Sequence, residues 1–187
     1  MELVEKIKSG QVGVMPTDTI YGLVGSALSP AVVEKIYELK SRPADMPFII
    51  LISDWGDLKK LGIVTSDKDK ETLEKNWPGP ISFILPCPDE SFTYLHREKK
   101  SLAVRWPNNE ELDKLIKETG PLIATSANLS GRPAVTMITE AKGIFGDKID
   151  FYIDGGVMAG TPSTLAKIDD GQVETLRQGD YIVKNDL

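Results

Sequence analysis

The stretch 121–131 reads Pro-Leu-Ile-Ala-Thr-Ser-Ala-Asn-Leu-Ser-Gly, so apolar and small residues run directly into a cluster of short polar side chains. The first four residues predict a short buried strand, and Thr125, Ser126 and Asn128 follow where it ends. Hydroxyl and amide side chains bind a ligand's oxygens, backbone groups or water at close range, and open α/β sheets bind ligands at strand ends. Taken alone, the stretch favours a turn that reverses the chain, because most such clusters are turns.

Two further clusters stand where predicted elements begin or end. The segment 16–23, Pro-Thr-Asp-Thr-Ile-Tyr-Gly-Leu, places two hydroxyls, including that of Thr19, with a carboxylate and a phenol beside a glycine that lets backbone approach closely. Its alternative interpretation is a β-turn led by proline. Lys40 and Arg42 follow a predicted helix, where cations interact favourably with the helix dipole. Their functional interpretation is anion binding, since Arg makes two-pronged contacts with carboxylate or phosphate.

Arg105 lies in the predicted strand 102–106, which Ser101 immediately precedes, and in extended chain Ser101, Ala103 and Arg105 point to one face because strand side chains alternate. A lone arginine on an apolar strand is costly unless it is paired or faces a cleft. A structural arginine would need an acidic partner, and a functional one would face a cleft. Ser163 follows a glycine-containing loop, and Arg177 lies near the C-terminal end. The three arginines 42, 105 and 177 are candidates for one anion-binding site, although spacing along the chain does not establish that they meet.

Length and composition limit the classes of protein. The 187 residues are 41% hydrophobic, which predicts one globular domain over 1–187. The net charge of −6 argues against broad binding to nucleic acid but leaves room for a local basic pocket. One His and one Cys build neither a usual zinc site nor an intrachain disulfide, so no metal site of the protein's own is predicted. Without a long apolar run or a signal-peptide core, we expect no membrane span and a cytoplasmic protein.

The hydrophobic periodicity predicts an α/β fold with a mixed sheet, because several strands follow one another without an intervening helix. We expect Thr65 to cap the helix 66–76, and 86–100 to be an exposed polar loop in which His96 is solvated. The predicted helices lie at 3–9, 30–40, 55–61, 66–76, 110–119 and 138–145, and the predicted strands at 11–15, 20–24, 47–52, 81–85, 102–106, 121–124, 149–153, 163–168 and 173–176.

Seven segments, in this order, resemble the threonylcarbamoyl-AMP synthase family with its YrdC-like domain. They cover almost the whole chain, and although each one alone is a weak signal, seven in register are a strong one. The segments are Pro-Thr-Asp-Thr-Ile-Tyr-Gly-Leu at 16–23, Lys-Ser-Arg-Pro at 40–43, Trp-Pro-Gly-Pro at 77–80, Leu-Ala-Val-Arg at 102–105, Thr-Ser-Ala-Asn-Leu-Ser-Gly at 125–131, Pro-Ser-Thr at 162–164 and Arg-Gln-Gly at 177–179.

The resemblance implies a twisted open sheet, largely antiparallel with parallel parts and flanked by helices, around a cationic pocket. It implies a nucleotidyltransferase that makes threonylcarbamoyl-AMP and pyrophosphate from L-threonine, bicarbonate and ATP, with Mg²⁺ arriving on the ATP. Partner proteins would then transfer the threonylcarbamoyl group to a tRNA adenosine, and direct contact of this chain with RNA would be weak. By motif position, the resemblance assigns Thr19, Arg105, Ser163 and Thr125 to L-threonine, Arg42, Ser101, Ser126, Asn128 and Arg177 to ATP, and Lys40 and Arg42 to catalysis.

Three positions depart from the common pattern of the family, and we expect them to weaken individual contacts only. Met46 stands where many members carry Lys or Asn, and Leu51 stands where many longer members carry His. Ala134 replaces a Ser that some members use toward ATP. Two other interpretations stay open: a non-catalytic member that binds nucleotide or double-stranded RNA, and a carbamoyl-transfer module like that of hydrogenase maturation. The retained polar residues favour the synthase, and the acidic balance disfavours RNA binding. The implied reaction depends on positioning and cations, which fits a chain with no candidate histidine base.

Overall fold

Helices and strands succeed one another irregularly along residues 2–43 and 45–184, the part of the chain that this computed structural model describes. The strands of that part are β1 (Gly13–Pro16), β2 (Tyr21–Ser26), β3 (Ile49–Leu51), β4 (Ile81–Pro86), β5 (Ser101–Arg105), β6 (Leu122–Ser126), β7 (Phe151–Tyr152), β8 (Thr164–Asp169) and β9 (Gln172–Arg177). Its α-helices are α1 (Leu3–Lys8), α2 (Pro30–Lys40), α3 (Trp55–Lys60), α4 (Asp67–Asn76), α5 (Thr93–His96), α6 (Glu110–Thr119) and α7 (Ile138–Phe145).

All of these strands lie in one sheet, in the order β7-β1-β2-β6-β3-β5-β4-β8-β9. The pairs β1–β7, β3–β5 and β4–β8 are parallel, and the other neighbouring strands are antiparallel. This confirms the predicted mixed sheet, largely antiparallel with parallel parts. Because β7 forms one edge and β8 lies next to the other, the connection between them, residues 153–163, passes across the fold. We call this connection the strap.

The sheet is covered on both faces, as the period-2 pattern of its strands requires. Alternate residues of β2 belong to different apolar clusters: Leu23 packs with Val33 and Ile36 of α2, whereas Val24 packs with Leu112 of α6. Each of these side chains is buried, and full burial of one such side chain contributes about 1.5–3 kcal/mol. No helix in the described ranges is long and apolar enough to cross a membrane.

Three local predictions are wrong: the cap of α4, the exposed loop 86–100 and the solvated His96. The N-cap of α4 is Ser66 rather than Thr65, because the Ser66 hydroxyl accepts the Asp69 amide and the Asp69 carboxylate accepts the Ser66 amide in return. Residues 86–100 are not an exposed loop throughout, since they include a 3-10 turn, Glu90–Phe92, and the short helix α5. His96 lies in that helix and is buried rather than solvated, with its Nε2 3.3 Å from the carbonyl oxygen of Asp89.

The turn between β1 and β2, residues 17–20, is tied to itself and to the strap. The Thr17 hydroxyl donates to the carbonyl of Ile20 at 2.7 Å. The phenol of Tyr21 accepts the amide of Gly155 and donates to the carbonyl of Gly156, so the start of the strap is anchored beside this turn. Further along, a Cβ at Gly160 would collide with the carbonyl of Thr19, which means that strap and turn are in direct backbone contact.

Candidate functional site

A cavity of about 200 Å³ opens where the turn 17–20, the strap and the ends of several strands meet. We call it the arginine cavity, because the guanidinium side chains of Arg42, Arg105 and Arg177 all line it. None of its lining residues is acidic, within the part of the chain that the structure describes. The predicted site residues that line it are Thr19, Arg42, Arg105, Thr125, Ser126, Ser163 and Arg177.

Arg42 reaches the cavity because the chain turns sharply after α2. Ser41 adopts a left-handed backbone with φ 49°, which ends the helix and directs the next residue away from it. The guanidinium of Arg42 donates to the carbonyl oxygens of Met46 at 2.9 Å and Pro47 at 3.3 Å, and it lies 5.2 Å from the ring centre of Phe48. Burial lowers the pKa of this guanidinium, as does the positive charge of Arg177.

Arg177 is placed by the last strand. It ends β9, opposite Leu165 and next to a β-bulge at Leu176 of the same strand, and its Nε and Nη2 donate to the carbonyl of Ser163 at 3.2 and 2.8 Å. The hydroxyl of Ser163 shares a hydrogen bond with that of Ser82 at 3.0 Å. Burial lowers the pKa of the Arg177 guanidinium. Backbone carbonyls therefore orient Arg42 and Arg177, and no ion pair holds either of them in the described chain.

Arg105 differs from the other two arginines, because it both faces a cavity and has an acidic partner. From the sequence alone, these two features are alternatives. Arg105 lines the cavity, and its Nη2 also lies 2.9 Å from Oδ1 of Asp18, with only 5% and 6% of the two side chains exposed. Burial lowers the pKa of Arg105, against the pull of the Asp18 charge, and burial raises the pKa of Asp18, against the pull of Arg105. An acidic partner therefore does not mark this arginine as purely structural.

Lys40, which the resemblance assigns to catalysis, does not line the cavity. Only 1% of Lys40 is exposed, and its ammonium is bound by oxygen atoms at the end of β6 and in the loop after it. It donates to the carbonyls of Ser126 at 2.6 Å and Asn128 at 3.0 Å, and to Oδ1 of Asn128 at 2.8 Å. Burial, helped by the charge of Arg42, lowers the pKa of Lys40 to about 7. The three oxygen acceptors favour the charged form and oppose that shift.

Asn128 also lies outside the cavity lining. Its Oδ1 accepts hydrogen bonds from Lys40 and from the hydroxyl of Ser126 at 2.6 Å, and its Nδ2 donates to the carbonyl of Arg132. Both polar atoms of the side chain thus take part in holding the loop that follows β6. Lys40 and Asn128 together place Ser126 at the cavity wall.

Ser101 does not line the cavity either. It begins β5 opposite Pro86, two residues before Ala103, which does line the cavity on the same strand face. Ligand contact with Ser101 would require a molecule that extends beyond this cavity. The departures at Met46, Leu51 and Ala134 also lie outside the lining, and the carbonyl of Met46 instead supports Arg42.

Sequence reasoning missed three parts of the site. Thr17 and Phe48 line the cavity, and Asp18 pairs with one of its arginines. Thr17 and Asp18 stand within the polar segment 16–23, which is a usable signal, but the partner of Asp18 lies far along the chain. Phe48 gave no signal, because an aromatic residue in an apolar run reads as core.

Comparison with known proteins gives the family. The Sua5/YciO/YrdC family model, described as "Telomere recombination", matches residues 5–179. The chain belongs to this family. Among curated Sua5/YciO/YrdC relatives, the threonylcarbamoyl-AMP synthase of Bacillus subtilis (strain 168) is 35% identical over 92% of this chain and 51% of its own length. The threonylcarbamoyl-AMP synthase of Pseudoalteromonas translucida (strain TAC 125) is 31% identical over 89% of this chain and 91% of its own length.

Solved structures of the family have the same fold. P. abyssi Sua5 complexed with L-threonine matches with a TM-score of 0.85 at 34% identity, over 94% of this chain and 52% of that one. E. coli YciO matches with a TM-score of 0.84 at 25% identity, over 97% of this chain and 89% of the YciO chain. The chain thus spans about half the length of its Bacillus and Pyrococcus relatives. A full-length HypF matches at 20% identity, which shows a shared fold alone.

Proposed function

We propose that this chain is an L-threonylcarbamoyladenylate synthase, a nucleotidyltransferase that forms threonylcarbamoyl-AMP and pyrophosphate from L-threonine, bicarbonate and ATP. The observation that carries the proposal is the acid-free cavity in which three arginines meet beside several hydroxyls. Such a cavity suits a ligand rich in anionic oxygens. The similarity to curated synthases, and to a Sua5 structure with L-threonine bound, supports this reading over a non-catalytic member of the family.

The lining divides into two candidate subsites. Thr19, Thr125 and Ser163 line the same cavity as Arg105, and we assign this group to the hydroxyl and carboxylate of L-threonine. Arg42 and Arg177 have no acidic partner and suit the phosphates of ATP, together with Ser126. Ser101 contacts ATP only if the nucleotide extends past the cavity. We assign Lys40 and Asn128 a supporting role, since their polar atoms already bind the loop after β6.

In the proposed reaction, the neutral amine of L-threonine adds to carbon dioxide derived from bicarbonate, which forms an N–C bond and releases a proton. The new carboxylate oxygen then attacks the α-phosphorus of ATP, and pyrophosphate leaves as the P–O bond to the β-phosphate breaks. Negative charge gathers on the phosphates during this step, so fixed guanidinium groups aimed at them lower the barrier. No His base is needed for the second step, because the attacking carboxylate is already ionised.

Mg²⁺ fits this site as a companion of the nucleotide. The cavity lining offers hydroxyls but no carboxylate, and the described residues contain no cluster of three or more His, Cys, Asp or Glu that could hold a metal ion. Magnesium usually binds through substrate phosphates and few protein ligands. When bound there, it would withdraw charge from the phosphates. Transfer of the product to tRNA by partner proteins, in the cytoplasm, completes the proposal.

Pyrophosphate release tests this function directly. We expect the purified chain, given ATP, Mg²⁺ and bicarbonate, to release pyrophosphate only when L-threonine is added, and mass spectrometry to detect threonylcarbamoyl-AMP. D-Threonine at the same concentration serves as the matched control. Equal release with L-threonine omitted would contradict the synthase and indicate another nucleotide hydrolase, whereas no release under either condition would favour the non-catalytic alternative.

A further inference from the structure

The three arginines of the arginine cavity differ in whether a nearby carboxylate compensates their charge. Arg42 and Arg177 are held by backbone carbonyls, whereas Arg105 alone is held by a carboxylate, that of Asp18. Only 5% of the Arg105 side chain and 6% of the Asp18 side chain are exposed, so solvent screens this pair very little. The cavity therefore has one arginine with its charge compensated and two without compensation.

Stability alone gives a poor account of this ion pair. Apart from Arg105, neither oxygen of the Asp18 carboxylate has a hydrogen-bond donor among the residues that the structure describes, and Nε of Arg105 has no acceptor there. A buried ion pair stabilises a fold only when further hydrogen bonds satisfy its remaining polar atoms. A pair that leaves donors and acceptors unused beside a cavity is better suited to a ligand than to the core.

We propose that Asp18 is a positioning and specificity-determining residue, which divides the cavity into a neutral end at Arg105 for a zwitterionic amino acid and a dicationic end at Arg42 and Arg177 for a polyphosphate. The proposal rests on the proposed function and adds to it a reason why the two substrates do not exchange places. It assigns Asp18 no contact with substrate, because Asp18 is not part of the cavity lining.

The physical argument concerns the competition between two anionic substrates. Three uncompensated arginines around about 200 Å³ would attract the highly charged polyphosphate to every part of the cavity. With Asp18 beside it, Arg105 has no net charge to offer over distance, but its free N–H groups still donate to a carboxylate at contact distance. The same carboxylate holds one end of the guanidinium through Nη2, and Nε of Arg105 keeps a donor without an acceptor among the described residues.

Binding calorimetry on the full chain, with L-threonine and inorganic pyrophosphate as separate probes, tests the proposal. For Asp18→Asn we expect the affinity for L-threonine to fall at least tenfold, while the affinity for pyrophosphate rises several-fold. Asp170→Asn is the matched control, since it changes the net charge equally but removes an exposed carboxylate paired only with Lys68. We expect the control to leave both affinities within twofold of the parent values.

A change of both affinities in the same direction, or of neither, would overturn the proposal, because a purely structural role affects both probes alike. The parent chain supplies a second test that holds even if Asp18→Asn does not fold: saturating pyrophosphate should leave the L-threonine affinity unchanged, and direct competition would overturn the division of the cavity. If the parent binds both probes as expected yet makes no adenylate, the synthase proposal fails and the division stands. If Asp18→Asn still forms product and the ratio of its affinities for L-threonine and pyrophosphate equals that of the parent, the division of the cavity fails and the synthase proposal stands.

Discussion

The arginines of the cavity are fixed before any ligand arrives. Two carbonyl oxygens hold Arg42, one carbonyl holds two nitrogens of Arg177, and the Asp18 carboxylate holds Arg105. A long side chain that is already ordered loses little further conformational freedom when it binds, which leaves more of the contact energy for affinity. Fixed cations are also what a reaction that gathers negative charge requires, since they need no rearrangement as the charge develops.

Arg177→Ala should weaken ATP binding more than L-threonine binding. Arg177 carries an uncompensated charge at the cavity wall, and loss of one charge-assisted contact costs about 1.5–3 kcal/mol. Calorimetry with a non-hydrolysable ATP analogue and with L-threonine measures the two effects. Lys148→Ala removes the same charge from an exposed position in the 3-10 turn Gly146–Lys148 and should change neither affinity. Unchanged ATP affinity in Arg177→Ala would remove this arginine from the nucleotide subsite.

Lys40 predicts a pH dependence of stability with a definite sign. Its pKa is lowered to about 7 in the fold, against an ordinary value of about 10.4 in the unfolded chain. Between these values the unfolded chain binds the extra proton, so the free energy of unfolding contributed by Lys40 rises with pH from about 7 to 10 and is smallest below 7.

Urea unfolding of the parent and Lys40→Met, at pH 7 and pH 9.5, measures this contribution as a difference that grows with pH in favour of the parent. Lys148→Met serves as the surface control and should show no such growth. A pH-independent difference between parent and Lys40→Met would mean that the three oxygen acceptors keep the ammonium charged throughout.

At the scale of elements, the strap decides how the turn 17–20 sits over the cavity. A Cβ at Gly160 would collide with the carbonyl of Thr19, so Gly160→Ala must push the strap and the turn apart. We expect the L-threonine affinity to fall by roughly tenfold, about 1.4 kcal/mol, because the Thr19 hydroxyl leaves its place. Gly143→Ala is the control: that glycine lies in α7 with open space around it, and alanine there should stabilise the fold by about 0.5–1 kcal/mol. Full affinity in Gly160→Ala would show that strap contact does not set the turn.

The sequence predicts a feature of this structure well when the residues that interact are close along the chain, and poorly when they are far apart. The helix α7 runs over Ile138–Phe145 as its periodicity predicts, because burial of one face is a local pattern. The burial of His96 and the acceptors of Lys40 come from segments distant along the chain, and no local pattern reports them. Ser66 and Thr65 are adjacent capping residues, and only the return bond from Asp69 decides between them.

At the scale of the molecule, the order of strands explains why residues from the whole chain meet in one cavity. Thr19 belongs to the first turn of the sheet and Arg177 ends its last strand, and both line the same space. The central strands β6, β3 and β5 form its floor through Ala124, Ile49 and Ala103, which are paired across the sheet and therefore share a face. Local loss of β9 or of the turn 17–20 would therefore open the cavity, so ligand binding and folding of these parts are thermodynamically coupled.

The whole-molecule charge separates the synthase from an RNA-binding role. The chain carries a net charge of −6, while its three cavity arginines face inward. Binding to a nucleic acid duplex needs many phosphate contacts over an outer basic surface and weakens steeply with salt, whereas a small polyphosphate needs only the cavity.

Fluorescence anisotropy should therefore detect no binding of a duplex of about 16 base pairs at physiological salt, under conditions where calorimetry detects pyrophosphate. Arg177→Ala is the matched variant, since it should weaken pyrophosphate binding and leave the RNA signal as it is. Tight duplex binding that survives saturating pyrophosphate would place an RNA surface outside the cavity and restore the alternative, because a phosphate bound in the cavity is displaced by pyrophosphate.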